Sequence, residues 1–400
     1  MKITIRKARN SGVTWLIILM IVGYPLAAIL VSFMGVDSRA VTVPYRTFVF
    51  GLSMALIGSG FVIPLRGKAV KALFLFLFLY GFRLVYDAYL GGNEYAPDAL
   101  IFFLLATATP AIAIALCIDE QFIERAFAIR LLLASALCLS GYYVLLWTGR
   151  ITLEVGIRAS LSALNPISLG HAAATAAVAA VYIAVSRRSI LYVAIAFAVI
   201  GFAIPALLSA GSRGPIAAFA MSLVWLSISD KRRALILVPA LTFAAFFVPT
   251  DNLAFSRLFG LLHTLDLSSL ARLELQRAAL ADFVAHPFLG KHFMDPAFGA
   301  GSWPHNFFLE AAMAMGIVGA VLSLVIVFQC FRAAMIGVNR RNPLLIALLV
   351  QALVAAQFSG SIFGGDKLFA LFAAVLVLGA THRREVRAHR VSAIRPALLN

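Results

Sequence analysis

Two short stretches place groups that can hold an anion or take a proton at the mouths of apolar runs. GSRGP, residues 211–215, sets Arg213 in a Gly/Pro turn, and SWPHNFFLE, residues 302–310, sets His305, Asn306 and Glu310 ahead of AAMAMGIVGAVLSLVIVF. A guanidinium at a helix N-terminus adds a fixed charge and a planar fork of donors to the free N–H groups already there, which suits phosphate or carboxylate. Pro215 fits the first turn of such a helix; the competing role is a capping turn with a snorkelling Arg. Histidine gains or loses a proton near neutrality, and the competing role for His305 is an interfacial ring beside Trp303, Phe307 and Phe308. Asn306 is a fitting N-cap. Glu310 falls one turn into the apolar run, where an unpaired carboxylate is costly, and a pair with Arg213 or Arg272 is expected.

Other polar residues share this pattern. SSLARLELQRAALADFVAHP, residues 268–287, reads as a helix capped by Ser268 or Ser269, ended by Pro287, with Leu273, Leu280 and Val284 on one face. It carries Arg272 and Arg277 with Glu274 between them; Arg277 suits a solvated face, whereas Arg272 can turn back toward the membrane. GIRASLSALNPISLGH, residues 156–171, carries Arg158, then Asn165-Pro166 opening an apolar run, with His171 about one turn in. Arg83 and Asp87 lie i,i+4, as a local ion pair or as an Arg lining a polar cavity. No paired-carboxylate DxD-type sequence, HExxH or Cys/His cluster accompanies them, so no metal ligand set is expected. Arginines at helix N-termini fit a phosphate-rich, membrane-borne anion better.

The elements that must carry these residues are membrane helices. Of 400 residues 62% are hydrophobic and 12% charged, and the mean hydropathy is +0.97, far from the composition of a soluble domain. Twelve apolar runs are long enough, or nearly so, to span a bilayer: 13–34, 47–65, 70–90, 98–117, 126–147, 167–186, 189–208, 214–229, 234–248, 305–331, 343–360 and 364–380. The first follows a basic segment, is too long for a signal-peptide core, and reads as a retained helix. With both termini inside, basic residues cluster on inner segments at every turn, including Arg6 and Lys7, Lys68 and Lys71, Lys231 to Arg233, Arg340 and Arg341, and the tail from Arg383. The net charge of +16 is thus topological, and nucleic acid is not a partner. Cys117, Cys138 and Cys330 all fall in apolar runs and suit core packing. The expected organisation is nine spans over 1–248, one large outer loop with amphipathic helices over 249–304, three spans over 305–380, and a basic inner tail over 381–400. NLAFSRLFGLLHTL, in that loop, suits the outer headgroup layer.

The order SRGP in a turn, ARLELQRAALADFVAHPFLG as a loop helix and HNFFLEAAMAMGIVG opening a membrane helix resembles the O-antigen ligase and polymerase family, over roughly residues 156–330. GIRASLSALNPISLG is similar to that family's upstream segment. The resemblance implies an all-α polytopic integral membrane fold like the GT-C glycosyltransferases, and a bacterial inner membrane location with the active site facing the periplasm. It implies a glycan donor on a polyprenyl (undecaprenyl) diphosphate and transfer to a hydroxyl, of lipid A–core for a ligase or of a lipid-linked glycan for a polymerase, without metal, nucleotide or other cofactor. Carried over by position, Arg213 and Arg272 bind the diphosphate and His305 is catalytic. Asn306, Glu310, Arg83, Arg158 and His171 are further substrate-site candidates on the same outer face. GKHFMDP stands where the family commonly has a Gly-x-Gly run, a difference that bears on the acceptor. A lipid-linked glycan flippase or other transporter is the rival from another class, since twelve spans suit it equally; transporters commonly show two-half repeats, and none is visible here.

Overall fold

The structure, a computed structural model, describes residues 2–59, 67–119, 122, 124–151, 165–186, 189–229, 267–299 and 301–394. Among the described residues 84% are helical and none forms a strand. A chain this apolar must satisfy its backbone polar groups within each segment if it lies in lipid, and the helix does so. Among the described residues eight helices are long and apolar enough to cross a membrane: α1 (Ala8–Met34), α2 (Ser38–Gly58), α3 (Lys68–Tyr89), α4 (Ala96–Cys117), α5 (Glu124–Trp147), α6 (Pro166–Ser186), α7 (Ile190–Ser209) and α10 (Phe307–Arg341). Two shorter apolar helices, α8 (Arg213–Ser229) and α11 (Pro343–Ala355), pack among them. The loop helix α9 (Leu267–Ala285) and the last helix α12 (Asp366–Ile394) complete the set. This is the architecture of a polytopic membrane protein. The apolar run 234–248, the amphipathic stretch 252–265 and Arg158 lie outside the described residues.

The helices alternate in direction, so polar contacts gather at two ends. At one end Arg9 pairs with Asp119, Arg130 donates to Ser11 at 3.1 Å, Glu124 accepts from the Leu344 N–H at 2.9 Å, and Trp225 donates to Asn339 at 3.0 Å. At the opposite end α6, α8, α10 and α12 begin and α11 stops. Between the ends the core is aromatic and aliphatic, with Phe76, Phe307, Phe369 and Phe372 in mutual ring contact. Phe48, Phe78, Phe82 and Leu137 point outward, which is ordinary for a surface that meets lipid tails.

Ala279 and Asp282 are the buried residues of α9, while Leu280 and Val284 stand exposed, followed by Phe288 and Leu289. The C-terminal part of the apolar face, beyond the half-buried Leu273, therefore turns away from the bundle, as an interfacial helix does when lipid covers it.

The segment after α9 is built into α10. Gly316 breaks that helix with φ 64 and ψ −150. The freed groups are met from outside: the Ile317 N–H donates to Pro287 O at 2.7 Å, and the Lys291 N–H donates to Met313 O at 2.9 Å. Contact is so close that a Cβ on Gly316 would stand 2.5 Å from the Phe288 carbonyl carbon, and one on Gly290 would stand 2.4 Å from that of Ala314. Glycine is required at both positions.

Candidate functional site

The site is organised by residues 356–365, the connection between α11 and α12. α11 has 13 residues and rises about 20 Å, roughly 10 Å less than a hydrocarbon core of about 30 Å. Its loop thus stops short of the helix-rich rim and needs internal partners. It finds them: Ala356 O accepts from the Phe307 N–H at 3.0 Å, the Ile362 N–H donates to Glu310 at 2.8 Å, and Phe363 O accepts from Thr107 at 2.6 Å. The Phe363 ring is boxed by Phe102, Phe293 and Trp303.

His305 lies against this loop. With φ 52 it is the one non-glycine residue of positive φ among the described residues, a conformation that costs about 1 kcal/mol or more and clusters at functional sites. Its side chain lies against the Gly360 backbone, while Nδ1 is buried and has no partner. A neutral imidazole with its proton on Nε2 carries its lone pair on Nδ1. Burial, then the Arg272 guanidinium, pushes the His305 pKa down to about 4, against the Gly360 hydrogen bond, so the ring is neutral near pH 7. The predicted neighbours Arg272 and His305 are therefore within electrostatic reach. The insertion of residues 287–291 into the α10 break holds α9, and with it Arg272, in that position.

Arg213 opens α8 and is half-buried; the helix begins there, two residues before Pro215. Gly214 abuts the same loop, where a Cβ would stand 3.3 Å from Phe358 Cβ. The head of α8, at Gly214, and His305 thus meet one loop at positions 358 and 360. Asn306 caps α10, accepting from the Leu309 N–H at 3.0 Å, and Asn165 accepts from the Ser168 N–H at 2.8 Å at the head of α6. His171 reaches Ser359 at 3.4 Å, with its own Nδ1 buried and unpartnered.

Residues 359–361 also line a cavity of about 340 Å³. His171 and Glu310 line it, together with Arg46, Asp366 and Lys367, three residues that the sequence reading passed over. The Arg46 guanidinium lies 4.0 Å over the Phe102 ring. Lys367 donates to Thr175 at 2.8 Å and to Gln351 at 2.9 Å. An apolar run that begins at 47 leaves Arg46 outside it; α2 begins at Ser38, which sinks Arg46 about 12 Å along the helix. Asp366 and Lys367 carried a visible signal, two adjacent charges at the head of an apolar run.

Two expectations need amendment. Glu310 pairs with neither Arg213 nor Arg272: its Oε1 accepts from Tyr80 at 2.9 Å and from the Ile362 N–H at 2.8 Å, because its face of α10 turns toward α3 and the loop. Arg83 bonds Asp87 at 2.8 Å, the local pair, and does not line the cavity. Asp87 also accepts from the Phe293 N–H at 2.8 Å, so the pair anchors the segment beneath Trp303. Asp282, His292 and Asp295 bring one ligand atom each within 4.8 Å of one another, a spacing open to a divalent cation; Lys291 already supplies a cation to Asp282 at 2.7 Å. Set against known proteins, the chain matches no family model and no curated relative.

Proposed function

We propose that the protein is a membrane glycosyltransferase that moves a glycan from a polyprenyl (undecaprenyl) diphosphate to an acceptor hydroxyl. The observation that carries the reading is His305: a strained, neutral imidazole with its Nδ1 lone pair buried and unpartnered, beside Arg272 and across one loop from the Arg213-headed helix. Nδ1 takes the proton of the acceptor hydroxyl as general base. The hydroxyl oxygen then bonds the anomeric carbon, the bond from that carbon to the diphosphate breaks, and its electron pair leaves on a phosphate oxygen. In this reading Arg213, Arg272 and the N-terminus of α8 stabilise that growing charge. No residue in this scheme requires a metal.

The topology that fits is twelve spans: the eight long helices, α8, α11, α12 and the run 234–248. Clustered basic residues then put both termini in the cytoplasm of a bacterial cell and the His305 end on the periplasmic side of the inner membrane. Lipid A–core as acceptor, as for an O-antigen ligase, is the form we favour; a polymerase would use a second lipid-linked glycan. The test is transfer by purified protein from a defined lipid-linked glycan in the presence of EDTA. His305→Ala is expected to lose about 10²–10⁴-fold in turnover, with Arg213→Ala and Arg272→Ala also strongly impaired. Near-normal turnover in a folded His305→Ala protein sinks the proposal. Product mass separates ligase from polymerase, by one addition to lipid A–core or by lengthening on the carrier. The charged cavity inside the bundle favours one rival, a lipid-linked glycan flippase, which would show transport without transfer.

A further inference from the structure

We infer that the cavity bounded by Arg46, His171, Asp366 and Lys367 is a saccharide subsite that seats the diphosphate-linked sugar of the donor; this rests on the glycosyl-transfer reading above. Its lining carries both signs of charge, Arg46 and Lys367 with Asp366 and Glu310. A bare anion or cation is matched by one sign. A polyol is matched by both, because each hydroxyl donates one hydrogen bond and accepts two.

Residues that line this space keep hydrogen-bonding capacity unspent. Lys367 has three donors, of which Thr175 and Gln351 take two. Arg46 has five donors in a fixed plane, and that plane is held over Phe102. His171 also lines the space and reaches Ser359 with its other ring nitrogen at 3.4 Å. The walls also include the Ser168, Ser359 and Ser361 residues and the ring-bearing Phe307. At about 340 Å³ the space is far larger than an ion needs and lies at the small end of organic-ligand pockets, about 300–1,000 Å³; it suits a sugar ring rather than a glycan chain. The position agrees. Residues 359–361 line the cavity, and Gly360 among them is a direct neighbour of His305, so a ring seated there lies beside the residue proposed as base.

The experiment measures binding to the purified full-length protein of undecaprenyl diphosphate and of the same lipid carrying one glucose, galactose, N-acetylglucosamine or N-acetylgalactosamine. The quantity read is the affinity ratio of sugar-bearing to sugar-free lipid. We expect at least one sugar to raise affinity about tenfold or more, the worth of one charge-assisted hydrogen bond. Asp366→Asn should bring the ratio toward one, and so should Ala172→Phe, which fills the cavity without altering its charges. Arg213→Ala should weaken every probe alike and keep the ratio. Competition by the free methyl glycoside of the same sugar would further support the ring as the bound group. A ratio of one for all four sugars in the wild type, or a ratio that survives both cavity variants, overturns the subsite and leaves the proposed function standing. Failure of the sugar-free lipid itself to bind overturns both.

Discussion

Replacing Glu310 by Ala and by Gln separates two roles for a carboxylate inside a membrane helix. In the structure one oxygen accepts two hydrogen bonds, from Tyr80 at 2.9 Å and from the Ile362 N–H at 2.8 Å, and the residue is 1% exposed. Glu310→Ala strips the acceptor from two buried donors. Each such donor costs about 1–3 kcal/mol, so the variant should lose about 2–6 kcal/mol, with a further penalty for the void. Glu310→Gln keeps an amide oxygen where Oε1 lies and should cost less than about 1.5 kcal/mol. Tyr80→Phe removes one donor together with its need and should fall between. The assay is unfolding of purified protein in detergent, monitored for all three variants and for the Tyr80→Phe/Glu310→Ala double variant. The double variant should recover part of the summed loss, since the two residues share a bond. If Gln proves as damaging as Ala, the charge itself is what the fold needs, and the acceptor account is refuted.

Three further outcomes follow from geometry. Gly316→Ala combines positive φ with a 2.5 Å clash against the Phe288 carbonyl carbon and should destabilise by about 2–5 kcal/mol, the sum of left-handed strain and overpacking, with turnover falling as Arg272 loses its support; thermal unfolding alongside the transfer assay reads both. Asn306→Ala removes the cap bond to Leu309 and should cost about 0.5–2 kcal/mol, and Asn306→Asp should restore it in the same unfolding assay. For His305 the folded value is lowered to about 4 from 6.5, so the unfolded chain takes up the proton first. Stability should therefore fall as pH drops through the window from about 6.5 to about 4 and should flatten there in His305→Gln. The acid limb of kcat/KM should lie near pH 4 rather than near 6.5.

What the sequence made legible was set by local chemistry. Most apolar runs became helices with ends within a few residues of expectation, because length and hydropathy decide a membrane helix almost without tertiary help. The Asn306 cap and the helix at 267–285 were equally local. The partner of Glu310 was not, since Tyr80 stands 230 positions away in the chain and an uncharged phenol gives no electrostatic hint. Nor was the cavity: Arg46 was hidden by the start assigned to α2, and His171, Arg46 and Lys367 come from three separate helices. The break at Gly316 was invisible too, because glycine is ordinary in membrane helices and only the arrival of Pro287 shows why this one is needed.

That break has a bearing on biosynthesis. As α10 leaves the ribosome it carries an N–H at Ile317 and a carbonyl at Met313 that its own turn does not satisfy. Their partners, Pro287 and Lys291, are translated earlier, so the order of synthesis places the complement in reach before the need arises. Residues 287–291 thus act as a built-in assembly clamp for the helix that follows. A chain cut between 291 and 307 would have to bring its two pieces together again before α10 could settle in the bilayer.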